Sequence, residues 1–588
     1  MAARLWIALA AVLLAGTGAA WAASAPAVEA ENGMVVSSQA LASRVGADIL
    51  AAGGNAVDAA VAVAFAEAVV NPCCGNLGGG GFLLLHTADG QSRFVNFREK
   101  APEAASQDMY LDGAGNVVKG ASLRGWKAAG VPGTVLGLTT ALARYGTLPL
   151  ARVVAPAVGL ARDGFVLTRG DTDILATGTR RFARDPAIAR IFLRPDGTPF
   201  QPGDRLVQAD LAGTLEAIAK GGADAFYKGD IPRAVEAASR AGGGLLTAAD
   251  FSAYTVTEEA PLTCTYRGAT ILAAPPPSSG GTTLCEMLTI LDGYDIAGAG
   301  FNSARSVHLM VEAMRRAYAD RNATLGDPAF VKNPVATLIS PDYAARMRAT
   351  IRPDRATPSA EVRPDPSLLP EEKRETTHIS VLDKAGNAVS LTYTINGYFG
   401  AGVMAPGTGF FLNNEMDDFT VKVGTPNLFG LVQGTANAIA PGKRPLSSMA
   451  PTLVLREGKP VMVVGSPGGS RIITINAQTI MNMLDFGMQP QEAVDAPRIH
   501  HQWLPDTVYA EPFALSADTL AILKGMGHAV QVQTPWGAQE LIAVRGAAPT
   551  GEGPDSSGND SSRTEGMRPG LIYGANDNRR PAGAAIGH

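Results

Sequence analysis

Cysteine is scarce in this chain. There are four in 588 residues, too few for disulfides to form the main scaffold. Histidine is also scarce, with seven copies and no HExxH pattern or CxxC partner, so no metal-ligand spacing is visible and no zinc or other metal is expected. Basic charge is short as well. Lys and Arg total 49 against 54 Asp and Glu, a formal net charge of −5. A chain without a basic field is poorly equipped to hold a phosphate backbone, so nucleic acid is not an expected partner. After residue 22 no stretch of about 18 uncharged apolar residues occurs, which argues against a stable membrane anchor in the mature protein. What is present is 46% hydrophobic residues, 18% charged residues and a mean hydropathy of +0.08, a globular composition that excludes wholesale disorder. The length suits two to four domains or one large interwoven α/β unit. The 67 glycines, with no collagen period, forecast tight turns and close backbone approaches.

Residues 1–22 read as an export signal: Arg4 as the positive start, an apolar stretch from Leu5 to Ala15, and Ala20-Trp21-Ala22 as the cleavage site. A membrane anchor is the competing reading, but the stretch is short and its end is rich in Ala and Gly. The expected compartment is periplasmic or otherwise secreted, where disulfides are possible. Cys73 and Cys74 are adjacent, a spacing that rarely closes a comfortable bridge. Cys264 and Cys285 are the better pair, although sequence does not fix connectivity. His500-His501 reads as a turn or packing pair.

Along the chain, residues 40–50 read as a helix stopping at Gly53-Gly54. A second helix from Asn55 to Val70 is apolar almost all round and therefore expected to be buried. The run Gly78–Gly81 precedes a short buried strand, Phe82–Leu85. Residues 120–350 carry mostly helical patterns, with a rigid turn over Pro275–Gly281. Residues 352–375 are rich in proline and charge and read as an exposed, mobile linker. At Thr376 the pattern changes. Thr376–Leu382 and Val389–Ile395 flank a turn at 383–387 and predict a β-hairpin with one polar face. A second hairpin spans Pro451–Val464, and a helix begins near Arg471 after Gly465–Ser470. The intervening residues 421–446 form a long Gly/Asn/Pro loop, a length that suits a functional lid. Residues 546–567 read as disordered, with no role apparent.

Thr376 stands where a linker runs into a buried strand. Threonine is a weak nucleophile unless a base lies beside it, and a chain cut just before it would supply its own α-amine as that base. An ordinary strand threonine is the competing reading on spacing alone.

Several motifs bear on that choice: Asn96-Phe97-Arg98-Glu99, the Gly78–Gly81 run, Thr376-Thr377-His378, Thr392-Tyr393-Thr394, Asn413–Phe419, Pro445–Met449 and Gly468-Gly469-Ser470. The last five in their order, together with the first two, resemble the γ-glutamyltransferase (γ-glutamyltranspeptidase) family, from about residue 33 to the C-terminus. The resemblance implies an α+β N-terminal-nucleophile hydrolase with a four-layer αββα sandwich, made as one precursor that cleaves itself between Glu375 and Thr376. Residues 23–375 would form a large subunit and 376–588 a small one, interwoven as a heterodimer.

The resemblance also implies roles. Thr376 is the nucleophile and Thr394 its partner hydroxyl, while Gly468 and Gly469 provide the oxyanion hole, a glycine turn at a helix start being suited to negative charge. Arg98, Ser447 and Ser448 would bind the substrate's α-carboxylate, for which a guanidinium is well shaped. Asn396, Glu415 and Asp418 would hold its α-ammonium. Some bacterial members have glutamine in place of Glu415. In the lid, Phe429 stands where some have a tyrosine bonded to the asparagine matching Asn396, so closure here should rest on packing and be looser. The adjacent cysteines are unusual for the family.

The implied activity is hydrolysis or transfer of γ-glutamyl groups from glutathione and similar compounds to water or an amino-acid or peptide amine, with no cofactor. A glutaryl-7-aminocephalosporanic-acid-type acylase of the same family is the alternative; its substrates lack the α-ammonium. A nucleotide-binding loop at Gly78–Gly81 is disfavoured because it lacks a GK[ST] ending and precedes a strand. A non-catalytic binding protein would need the nucleophile or oxyanion donors to be missing, and they are present.

Overall fold

The computed structural model describes residues 24–362, 376–545 and 567–588. The expected export signal, the Glu375 side of the junction and most of 546–567 lie outside these residues. Met567, at the edge of that segment, is buried rather than disordered.

Two seven-stranded sheets are stacked face to face. The first runs 584–587, 33–37, 377–383, 388–394, 80–86, 92–97, 257–259, and the second 28–30, 572–576, 540–544, 459–465, 452–456, 269–273, 262–266. Every neighbouring pair in both is antiparallel. Period-two alternation divides each strand between two cores. Val35, Ile379, Val381, Val389 and Leu391 face helices that include 40–51 and 56–70. Met34, Val36, Leu84 and Leu382 face Leu272, Leu453, Val463 and Ile542 of the other sheet. The outer side of the second sheet, through Val454, Met462 and Leu541, packs on helices 280–292, 304–324 and 472–484. This is the expected α+β arrangement in four layers, αββα.

Helix 56–70 is buried along its whole length and is started by a capping box: Asn55 accepts from the Asp58 N–H, and Asp58 accepts from the Asn55 N–H. The run Gly78–Gly81 serves close packing. A Cβ at Gly79 would lie 1.8 Å from the Thr394 carbonyl oxygen, and one at Gly81 2.4 Å from that of Thr392. Glycine therefore lets this chain segment lie against the hairpin that follows Thr376.

The structure corrects some of these expectations and bears out others, the Cys264–Cys285 pair and the His500-His501 packing pair among them. The polar face of the 377–394 hairpin is buried between the sheets, where His378 is bonded to Thr392 and Ser380, and Ser390 donates to the Val464 carbonyl. Cys73 and Cys74 are bonded to each other, as are Cys264 and Cys285. The described part of the 352–375 linker is docked: Thr357 and Ser359 are buried, residues 359–362 form a helical turn, and the Ser359 N–H donates to Asp506 at 2.7 Å. The 421–446 loop is organised by a helical turn at 435–437 and by Thr420–Ala438 and Pro426–Val432 bridges. His500 and His501 are a buried packing pair.

Candidate active site

Thr376 lies at the end of strand 377–383, and the register Thr377–Tyr393 sets it beside Thr394 at the end of the hairpin. By alternation both threonines belong to the face between the sheets. Both are buried and line one small cavity. Ten of the eleven residues singled out above line it; the exception, Gly468, immediately precedes Gly469.

Gly468 and Gly469 have φ of 145° and 56°, values that favour glycine. They start the turn leading into helix 472–484, so the cavity meets the positive end of a helix. Phe429 covers this turn: a Cβ at Gly469 would come within 2.3 Å of its ring. The lid is not held by packing alone. The Leu428 N–H donates to Asp417 at 2.6 Å, and the Phe429 carbonyl accepts from Gln502 at 3.1 Å. Asp417 also accepts from Ser122, and burial raises its pKa to about 6.

Arg98 emerges at the end of strand 92–97, braced by Nε donation to the Pro445 carbonyl at 3.2 Å and by Tyr254 donation to its own carbonyl at 2.8 Å. Its guanidinium is ion-paired with Glu415, Asp418 and Glu99. The arginine expected on a carboxylate and the carboxylates expected on an ammonium thus hold one another. Three buried carboxyl groups share this one guanidinium. Burial and their mutual repulsion hold Glu415 well above the usual carboxylate range and Glu99 at about 7. The cluster is short of positive charge.

Asn396 has φ 69° and donates through Nδ2 to the Asn414 carbonyl at 3.0 Å. Among the described residues, its Oδ1 and Glu415 Oε2 are buried acceptors without a hydrogen-bond partner. Such atoms are costly to leave unmatched. Thr394 Oγ1 accepts from the Asn396 N–H at 2.8 Å, which ties the Thr394 hydroxyl to this residue. Across the cavity, Ser447 is fixed by backbone bonds: its N–H donates to Pro277 at 2.9 Å, and its carbonyl accepts from the Ser279 N–H at 2.8 Å.

Four residues escaped the sequence reading: Glu99 as a partner of Arg98, Ser279, Gln433 of the lid, and Arg321. Arg321 is buried and lines the cavity. A signal existed. On helix 304–324 the apolar stripe Val307, Met310, Met314, Ala317 ends on Arg321 at helical spacing, and an arginine on a buried stripe has a task beyond packing.

Among the described residues no helix is long and apolar enough to cross a membrane. His308, Glu312 and His528 are the one cluster there with metal-ligand proximity, but both Glu312 oxygens already accept from Arg315 and Arg316.

The gamma-glutamyltranspeptidase family model matches residues 42–581. A glutathione hydrolase proenzyme from Pseudomonas sp. (strain A14) is 53% identical over 96% of this chain and 96% of its own length. The glutathione hydrolase proenzyme of Escherichia coli (strain K12) is 46% identical over 94% and 91%. Among solved structures, a cephalosporin acylase from Bacillus halodurans superposes with a TM-score of 0.81 at 27% identity, covering 97% of this chain and 98% of that one. With the site geometry and these relatives in agreement, the chain belongs to the gamma-glutamyltranspeptidase family.

Proposed function

We propose that this protein hydrolyses and transfers γ-glutamyl groups, glutathione included, with Thr376 as nucleophile after self-cleavage between Glu375 and Thr376. Residues 23–375 and 376–588 are then the two subunits, and residues 1–22 direct export to the periplasm or beyond. Thr376 Oγ attacks the γ-carbonyl, and its freed α-amine takes the hydroxyl proton. The oxyanion is received by the Gly468 and Gly469 N–H groups. Collapse expels the amine of the scissile amide, which leaves with that proton, and a γ-glutamyl ester remains on Thr376. Water or an acceptor amine then releases it as glutamate or a new γ-glutamyl amide.

One observation carries the choice of substrate head group. Among the described residues, Asn396 Oδ1 and Glu415 Oε2 are buried, unpartnered acceptors in a cluster short of positive charge. An ammonium has three donors and one positive charge, and it satisfies both deficits. The acylase reading draws support from the cephalosporin acylase likeness, but a glutaryl group would leave these acceptors unmatched. Comparing γ-glutamyl-p-nitroanilide with glutaryl-p-nitroanilide decides between them; faster turnover of the glutaryl compound reverses the choice.

N-terminal sequencing of the smaller fragment should begin at Thr376. Thr376→Ala should remain one chain and lose all measurable activity. A variant that still splits in two would break the link between nucleophile and cleavage.

A further inference from the structure

Arg321 is a fully buried cation whose partners are all neutral. Its Nε donates to Ser279 Oγ at 2.8 Å, Nη1 to Asn322 Oδ1 at 2.8 Å and to Gln433 Oε1 at 3.4 Å, and Nη2 to Ser448 Oγ at 2.9 Å. Among the described residues no carboxylate forms an ion pair with it. Asp418 is near enough to favour its charge, but that carboxylate is committed to Arg98. Burial lowers its pKa only to about 10, so it is charged at neutral pH. A buried guanidinium without a counter-ion is costly, and this one lines the cavity that holds Thr376.

The donor pattern shows what it can do there. Ser448 Oγ accepts from Arg321, so its own proton is available to an acceptor in the cavity. Ser279, gripped by the same guanidinium, donates its hydroxyl to the Ser447 carbonyl at 2.6 Å. One side chain therefore sets both serines. Arg98, by contrast, already faces three carboxyl groups.

We infer that Arg321 is a positioning residue for the substrate's α-carboxylate: it orients and polarises Ser448 and supplies the positive charge that the carboxylate neutralises. This rests on the γ-glutamyl reading for the identity of the substrate but not for the carboxylate.

The test measures kcat/KM of the mature wild-type enzyme, Arg321→Met and Arg321→Lys on three p-nitroanilides. γ-Glutamyl carries both head groups, glutaryl keeps only the carboxylate, and 4-aminobutyryl keeps only the ammonium. Arg321→Met should lose about 10- to 100-fold on the first two, mainly through KM, the scale of a charge-assisted hydrogen bond. On 4-aminobutyryl it should lose less than about threefold, and Arg321→Lys should recover part of the loss. Equal losses on all three substrates would overturn the inference. Should Arg321→Met fail to mature, Ser448→Ala, Arg321→Lys and their double variant replace it. Losses that fail to add support transmission through Ser448, and additive losses refute it. If wild type prefers the glutaryl substrate, the γ-glutamyl reading falls while the Arg321 effect is still read on that substrate.

Discussion

At the scale of the residue, the site is a problem of charge balance. Among the described residues, Arg98 is the one guanidinium ion-paired with Glu99, Glu415 and Asp418 in a buried cluster. Under the proposed γ-glutamyl reading an arriving ammonium repairs that imbalance, so removing one carboxylate should hurt only substrates that carry an ammonium. Asp418→Asn should cost about 2–5 kcal/mol in transition-state binding of γ-glutamyl-p-nitroanilide and far less on the glutaryl analogue; equal losses would place Asp418 elsewhere. The same balance sets a pH dependence. Burial holds Glu99 at about 7 and Glu415 above the usual range. A protonated carboxyl attracts an ammonium less, so KM for the γ-glutamyl substrate should rise as pH falls through about 7, and KM for the glutaryl substrate should not follow it. Most of these residues were legible because each belongs to a short motif with a recognisable donor or acceptor pattern. Their mutual pairing was not legible, because Arg98 lies 317 residues from Glu415 and 320 from Asp418 and no local pattern joins them.

At the scale of the element, the contact between Phe429 and the Gly468-Gly469 turn, the proposed oxyanion hole, is the sensitive one. Gly469 has φ 56°, and a Cβ there would press on the Phe429 ring at 2.3 Å. Gly469→Ala should therefore lower kcat by about 100-fold, the scale of a displaced oxyanion donor, although its N–H is kept. Adding Phe429→Ala removes the clash but leaves the positive-φ strain of about 1–3 kcal/mol, so activity should return only in part. No recovery in steady-state assays of the double variant would show that the ring is not the obstacle. The lid itself was visible as a long loop, but its tethers were not. Asp417 to Leu428 spans 11 residues and Gln502 to Phe429 spans 73, and no local pattern reports such bonds. The hairpins were legible for the opposite reason, since alternation is local. That alternation marked a polar face but gave no sign that this face is covered by a second sheet.

At the scale of the whole molecule, the order of strands decides what cleavage before Thr376 can do. Sheet order was the least legible feature, because the pairings join residues hundreds apart: Val36 pairs with Ala585 on one side and Ser380 on the other. Strand 33–37 is thus the bridge between 377–383 and 584–587, both from the far side of the junction. In the second sheet, strand 452–456 from after the junction pairs with 269–273 from before it. Each fragment therefore completes both sheets of the other, and the shared core of Met34, Leu272, Leu453 and Ile542 belongs to neither alone. After cleavage the fragments should co-migrate in size-exclusion chromatography and lose structure in one denaturant transition, followed by both fluorescence and circular dichroism. Residues 376–588 expressed alone should lack that transition, because 584–587 would have no partner strand and the inter-sheet face of the hairpin would lose Met34, Val36 and Leu272. A small fragment that unfolds cooperatively by itself would mean that its core is self-sufficient, and the interleaved strands would then be an accessory to stability.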